Sequence, residues 1–223
     1  MVSFFAIACG GDSPSEPIDP DGSRNLSATR NFTVGGESFA PIDIQKMSVT
    51  VEFNLATQTA TAVSNIDWIA KENGFAYFLS DAPASAAFHD GQPVAIANIK
   101  DPDGLNSLRV VRALVTKGEP HSLRYEFQVP ASEVGFRADG IGFVTAMGDI
   151  INGNYLEAYF PANFEEDAYA SEFELRITGN ATSHRIFSNG SLQTLAPNHW
   201  KIEFPSYFTS SSHYIHVTNT PVH

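Results

Sequence analysis

The chain has 223 residues, 43% of them hydrophobic and 12% aromatic, so it can bury a large core, and disorder is excluded for most of its length. Acidic residues outnumber basic ones by 25 to 13, which gives a net charge of -12 at pH 7. A general nucleic-acid binder is therefore excluded, because neutralising phosphates needs clustered Lys and Arg. No apolar run approaches the roughly 20 residues that a membrane-spanning helix requires.

The first nine residues resemble the end of a bacterial lipoprotein signal peptide. Ala6 and Ala8 are small enough for a signal-peptidase groove, and Cys9 is the single cysteine of the chain. The resemblance implies a truncated signal segment with a lipobox over residues 1–9 and a lipid on Cys9 that anchors the protein to a bacterial membrane, in the cell envelope and outside the cytoplasm. The alternative is an apolar tail with an incidental cysteine. Residues 10–30 are rich in Gly, Ser, Pro and Asp without apolar periodicity, which predicts a flexible tether.

From residue 31 onward the apolar residues recur at every second position, and turn residues interrupt the runs at short intervals. This pattern is typical of antiparallel β-structure. The runs that show it most clearly are Met47–Leu55, Phe75–Leu79, Leu123–Val129, Phe173–Ile177 and Trp200–Phe204. Asp90-Gly91 predicts a hairpin, because glycine supplies the positive φ that a tight turn needs.

Helical patterns are scarce in the same span. Residues 83–88 and 130–135 could each form one helical turn, and neither extends to the two or three turns of a packed amphipathic helix. The sequence therefore predicts an all-β protein with roughly ten or more strands, an antiparallel β-sandwich of two or more packed sheets with little helix.

The histidines do not form a recognisable metal site. His213 and His216 are three residues apart and would point to opposite faces of a strand, so they cannot share a metal ion, and packing roles are expected for them. His184 and His199 lack acidic partners nearby in the sequence, so structural roles are expected for them too. Neither H-E-x-x-H nor a nucleophile motif occurs in the chain.

Two segments of the chain carry closely spaced acidic residues. The segment 101–104, Asp-Pro-Asp-Gly, begins like a calcium loop but lacks a glutamate at the twelfth position, which favours a plain turn. Glu165, Glu166 and Asp167 follow an aromatic-proline pair, and a run of three carboxylates predicts a solvated corner of the fold.

One ordered series of motifs resembles a known family, the zinc aminopeptidases of the aminopeptidase N type. It begins with Tyr155-Leu156-Glu157-Ala158-Tyr159-Phe160-Pro161, Asn163 and Asp167, and continues with the strand Phe173–Ile177, the turn Ser188-Asn189-Gly190, the strand Trp200–Phe204 and the terminal segment Ser212–His216. The resemblance covers residues 31–219 and implies the saddle-like N-terminal β-sandwich domain of that family.

In this family zinc is held by the next domain, through H-E-x-x-H and a later glutamate, and a G-x-M-E-N segment there helps to hold the substrate. The resemblance therefore implies no cofactor and no catalytic residue in this chain, with zinc only in a catalytic domain outside it. The family's N-terminal domain also lends one acidic or amide side chain to the substrate amine, and Asp149 is the nearest residue of suitable type. A carboxylate there could pair with an ammonium group. A turn role for Asp149 beside Asn152-Gly153 is the alternative.

Two functions follow as expectations. The first is a non-catalytic domain, tethered to a bacterial membrane, that docks on its own or a separate catalytic domain and closes the cleft for a peptide substrate. The second is a stand-alone surface lipoprotein that binds a protein or glycan through aromatic loops such as Phe204–Phe208.

Overall fold

The computed structural model describes residues 30–100, 107–145, 155–165, 167–179 and 181–220. The predicted signal segment, nearly all of the predicted tether, and the turn at 101–104 lie outside these ranges. The described residues contain no α-helix, and none of their helical segments is long and apolar enough to cross a membrane. Two 3₁₀ helices, Ala131–Glu133 and Leu156–Ala158, lie between strands of this part of the chain.

Sixteen strands make up the described part of the fold, as the alternating pattern predicts. They are β1 Phe32–Val34, β2 Glu37–Asn54, β3 Thr59–Ala70, β4 Gly74–Leu79, β5 Ala84–His89, β6 Gln92–Pro93, β7 Ile96–Lys100, β8 Ser107–Val115, β9 Pro120–Gln128, β10 Val134–Phe136, β11 Ile141–Thr145, β12 Ala170–Thr178, β13 Arg185–Ser188, β14 Ser191–Ala196, β15 His199–Phe204 and β16 Ile215–Thr218.

The long strand β2 organises the larger sheet. Its C-terminal half pairs with β3 and β12, and its N-terminal half pairs with β1 and β4. The path β14-β15-β12-β2-β3-β9-β5-β6 runs through it, and β4, β8 and β7 branch from its N-terminal end. From Met47 to Leu55 the buried and less buried side chains alternate, as predicted, whereas residues 39–44 are buried without alternation. Both faces of β2 are therefore covered where the sheet branches.

A second sheet of four strands, in the order β10-β11-β16-β13, packs against the larger one. The rings of Phe53 in the larger sheet and Phe143 in the smaller lie 5.1 Å apart, and both side chains are buried. Burying a phenylalanine contributes about 1.5–3 kcal/mol, so such contacts hold the layers together. The predicted all-β sandwich is confirmed.

Two local details differ from the sequence pattern. Residues 83–88 were predicted as a candidate helical turn, but residues 84–88 belong to strand β5, because β5 pairs with β9 along the larger sheet. Most strand pairs are antiparallel as predicted, but β2 runs parallel to both β4 and β12. The second candidate turn is a 3₁₀ helix at Ala131–Glu133.

Candidate functional site

The segment that begins at Tyr155 is folded into the body of the protein. Its 3₁₀ helix, Leu156–Ala158, is buried at all three positions. Leu79 of β4 and Ala162 then form a two-way backbone bridge, with N–O distances of 3.0 and 2.9 Å. The segment is thus fixed against the larger sheet, and its polar side chains have defined positions.

The acidic run after Pro161 is not a solvated corner, so that prediction was wrong. Asp167 is fully buried, and its Oδ2 atom accepts hydrogen bonds from the backbone of Ile44 at 3.0 Å and from Nδ2 of Asn163 at 2.7 Å. Glu165 is partly buried and accepts bonds from Ser211, at 2.6 Å from both the backbone nitrogen and the hydroxyl. Glu166 lies outside the described residues. The carboxylates turn inward because these backbone and hydroxyl donors replace water.

Asn163 connects this segment to β2. Its Nδ2 atom donates to the carbonyl of Ile42 as well as to Asp167, and its Oδ1 atom accepts from the backbone of Phe164 at 3.0 Å. Asp43, the residue after Ile42, is also buried and lies 2.5 Å from Nζ of Lys71. Asp43 was not predicted from the sequence as a site residue. The signal was an acidic side chain between two isoleucines in an apolar strand.

Burial alters the ionisation of the acids in this segment. It raises the pKa of Glu157 to about 7, although the backbone N–H of Tyr155 donates to Oε1 at 3.2 Å. Burial, with the nearby charge of Asp43, also holds the pKa of Asp167 well above its usual range. Neutral, protonated forms of these carboxyl groups are therefore favoured near pH 7 more than in water.

Oγ of Ser171 lies 2.7 Å from Nε2 of His213. A catalytic serine and its general base are typically this close. Both residues are buried, at 4% and 3% exposure, and Nδ1 of the imidazole lies 2.8 Å from the carbonyl of Thr209. Burial lowers the pKa of His213 to about 4, which makes it a poor proton acceptor at neutral pH. The pair serves packing, in agreement with the prediction for His213.

Structural or packing roles were also predicted for three other histidines, and each of them has a partner in the fold. Nε2 of His184 accepts a hydrogen bond from the backbone of Ile141 at 2.9 Å, and Nε2 of His199 lies 2.7 Å from Oε1 of Glu174. His216 packs on Phe187, with ring centroids 5.9 Å apart. The acidic partner of His199 lies on the neighbouring strand and is therefore invisible to a local sequence search.

A surface groove of about 430 Å³ lies beside His213. Its lining residues are Asn189, Tyr207, Phe208, Ser211, Ser212, His213 and Tyr214. Tyr207 is 74% exposed, whereas Phe204, predicted as part of an aromatic binding loop, is buried. The exposed aromatic surface therefore lies at Tyr207 and Tyr214 instead of along the whole loop.

Two residues proposed for function, Cys9 and Asp149, lie outside the described residues. The last described residue before Asp149 is Thr145, where β11 ends. The hydroxyl of Thr145 accepts a hydrogen bond from the backbone of Ile215 at 2.9 Å. Thr145 therefore lies beside β16.

Comparison with solved structures shows where this arrangement of sheets occurs. Leukotriene A4 hydrolase from Saccharomyces cerevisiae matches 78% of this chain with a TM-score of 0.59 and 8% identity. A complex of the yeast enzyme with bestatin matches 79% with a TM-score of 0.58 and 9% identity. The M1 zinc metallopeptidase from Deinococcus radiodurans matches 79% with a TM-score of 0.56 and 12% identity. The chain has the fold of a region of M1 zinc metallopeptidases.

At 8–12% identity, the similarity to these proteins establishes a shared fold alone. The match spans only 28% of the yeast chains and 42% of the Deinococcus chain. The sequence matches no protein-family profile and no curated protein. The M1-like fold agrees with the resemblance that the ordered motifs between Tyr155 and His216 indicated.

Proposed function

We propose that this chain is a non-catalytic β-sandwich domain of an aminopeptidase N-like zinc metallopeptidase. It docks on a catalytic domain outside these 223 residues and closes one side of the peptide cleft. The proposal rests on how much of each chain the structural match spans. It covers 79% of this chain but only 28–42% of the M1 proteins that share its fold. A domain that corresponds to a minor part of a peptidase is expected to support the chemistry and not to perform it.

The docking surface is the aromatic patch, which we define as Val144, Phe187, Tyr207 and Tyr214. These side chains are 38–74% exposed. Strand pairing places Val144 and Phe187 on either side of His216, and the hydroxyl of Tyr214 lies 3.5 Å from Nδ1 of His216. Exposed apolar side chains gathered in one area are typical of a protein contact surface.

The position of the aromatic patch supports a peptidase domain as its partner. Val144 is next to the last residue of β11, directly before the segment that contains Asp149. A partner domain that covers Val144 would contact the chain five residues before Asp149. The Asp149 carboxylate would then pair with the substrate ammonium group, and a lipid on Cys9 would hold the assembly at a bacterial membrane.

The docking proposal is tested by titrating the full chain with a purified H-E-x-x-H domain from the same gene or an adjacent one. We expect saturable binding that weakens at least ~10-fold in the double variant Phe187→Ser/Tyr207→Ser, because buried aromatic anchors dominate such interfaces. The matched control is Leu114→Ser, since Leu114 is 75% exposed on β8 and lies outside the patch. Equal affinity of both variants would reject the patch as the docking surface.

The absence of catalysis is tested by assaying aminoacyl-anilide hydrolysis. The chain alone is expected to give no turnover, and the mixture with the H-E-x-x-H domain is expected to hydrolyse the anilide. Turnover by the chain alone that a chelator abolishes would overturn the proposal. An open reading frame that stops at His223, with no H-E-x-x-H gene beside it, would also contradict it.

The groove beside His213 favours one alternative, a stand-alone surface lipoprotein that binds a protein or glycan partner. Its volume of about 430 Å³ and its aromatic lining at Tyr207 and Tyr214 suit a sugar ring or an aromatic side chain. Glycan-array binding that Tyr207→Ser abolishes, with no affinity for an H-E-x-x-H domain, would favour this function over the first.

A further inference from the structure

The larger sheet brings together three potential metal ligands, two from neighbouring strands and one from the turn that follows the first strand. His89 is the last residue of β5, Asp90 is the first turn residue after it, and His121 lies on β9. Strand pairing places His89 opposite Leu123, two residues beyond His121, so both imidazoles lie on the same face of the sheet. Trp68 on β3 is paired with His121 and packs against its ring, with centroids 4.8 Å apart.

The geometry of the three side chains is compact. Oδ2 of Asp90 lies 2.8 Å from Nδ1 of His121 and 3.6 Å from Nε2 of His89. One potential ligand atom from each side chain lies within 4.8 Å of the others. The other carboxylate oxygen, Oδ1, accepts a hydrogen bond from the backbone of Ser122 at 2.8 Å, which orients Oδ2 towards the two rings.

Packing alone does not account for the polar atoms of this cluster. The Nε2 atoms of His89 and His121 are buried and have no hydrogen-bond partner among the residues that the structure describes. The two side chains are only 11% and 10% exposed. Buried polar atoms without partners are costly, and Nε2 of His89, which faces Oδ2 of Asp90 at 3.6 Å, is the one that points to a ligand at this cluster.

We propose that His89, Asp90 and His121 bind a divalent transition-metal ion, of which Zn²⁺ fits best. Imidazole nitrogen with carboxylate oxygen is a ligand set for zinc and its neighbours, whereas calcium and magnesium prefer oxygen ligands alone. Tetrahedral zinc with bonds of about 2.0–2.1 Å separates its ligand atoms by about 3.3 Å, and the contacts of Oδ2 at 2.8 and 3.6 Å bracket this value.

The surroundings allow such an ion to enter and bind. The Asp90 side chain is 47% exposed, so the site opens to solvent and water can supply a fourth ligand. A metal ion bound through Nδ1 of His121 requires the neutral tautomer with its proton on Nε2, so the ring exchanges an Nδ1 proton for an Nε2 proton through solvent and loses none overall.

The bound ion would join the β5–β6 hairpin to β9. Because it binds the folded chain and the unfolded chain cannot assemble the three ligands, it would raise the thermal midpoint. For a domain of this size the rise is about 5–10 °C at a Zn²⁺ concentration ~100 times the dissociation constant.

The test is calorimetric titration of the full chain with ZnCl₂, together with quenching of tryptophan fluorescence by Co²⁺. We expect one saturable Zn²⁺ equivalent that raises the thermal midpoint. We also expect Co²⁺ quenching that Zn²⁺ reverses, because Trp68 packs against the ligand rings, with centroids 4.8 and 5.9 Å apart. Asp90→Asn keeps a turn residue suited to positive φ before Gly91, so the variant should fold, and it removes the anionic ligand. Affinity should fall at least ~10-fold in Asp90→Asn and in His121→Gln.

His199→Gln is the matched control, because His199 also contacts a carboxylate, Glu174, but belongs to no three-ligand cluster among the described residues. It should bind Zn²⁺ with unchanged affinity. The proposal is overturned if the folded chain shows no saturable Zn²⁺ binding, or if Asp90→Asn and His121→Gln bind within twofold of the unaltered protein. Thermal unfolding without metal verifies that each variant is folded.

Discussion

The hydroxyl of Ser171 donates a hydrogen bond to Nε2 of His213 over 2.7 Å, although the two residues are 42 positions apart. The direction follows from the other ring nitrogen. Nδ1 lies 2.8 Å from the carbonyl of Thr209, which can only accept, so Nδ1 carries the proton of the neutral ring. With Phe204 4.7 Å away, ring to ring, this imidazole is a core residue that satisfies two polar neighbours.

His213 should make the protein less stable in acid. Its pKa is 6.5 in the unfolded chain and about 4 in the fold, so folding disfavours the protonated form. The stabilisation is complete above pH 6.5 and is lost as the pH falls towards 4, by about 3 kcal/mol. Urea unfolding at pH 7.5 and pH 4 should show this loss in the unaltered protein and not in His213→Gln. His216→Gln, at a less buried histidine, should keep it. An unchanged acid sensitivity in His213→Gln would contradict the assignment.

Glu157 should make the protein less stable at alkaline pH, whereas His213 should make it less stable in acid. Its pKa rises from 4.5 to about 7 on folding, so its contribution is fully present below pH 4.5 and is lost as the pH rises through 7. Glu157→Gln keeps the acceptor for the backbone of Tyr155 and removes the charge. We expect the variant to match the unaltered protein at pH 4 and to exceed its free energy of unfolding by about 2–3 kcal/mol at pH 8. The exposed Glu119 provides the control Glu119→Gln, for which the two pH values should give the same small difference.

Asn163 should be the least replaceable polar residue of the buried segment. Asn163→Leu removes the donor to the carbonyl of Ile42 and to Asp167 inside the core. We expect a loss of about 2–4 kcal/mol in the free energy of unfolding, measured by urea denaturation at pH 7. Asn98→Leu, at an exposed position of β7, should change it by less than about 0.5 kcal/mol. Equal losses in the two variants would show that the buried hydrogen bonds contribute nothing.

The sequence by itself determined the faces of the strands whose apolar residues alternate clearly. Along Met47–Leu55 every second side chain is buried, as the alternation predicts, because a strand directs successive side chains to opposite faces. The Asp90-Gly91 hairpin was also predictable. Both residues have positive φ, +50° and +75°, which a two-residue turn of this kind requires and glycine permits.

Only the tertiary structure decided which polar residues are buried and which of them meet. Asp167 belongs to a run of three acids that a local rule places in solvent, but Ile44 and Asn163 supply donors from elsewhere in the chain. His89 and His121 are brought together by the pairing of β5 with β9. A strand's alternation depends on neighbouring residues alone, whereas these contacts depend on the register between strands that are distant in the sequence, and no local pattern encodes it.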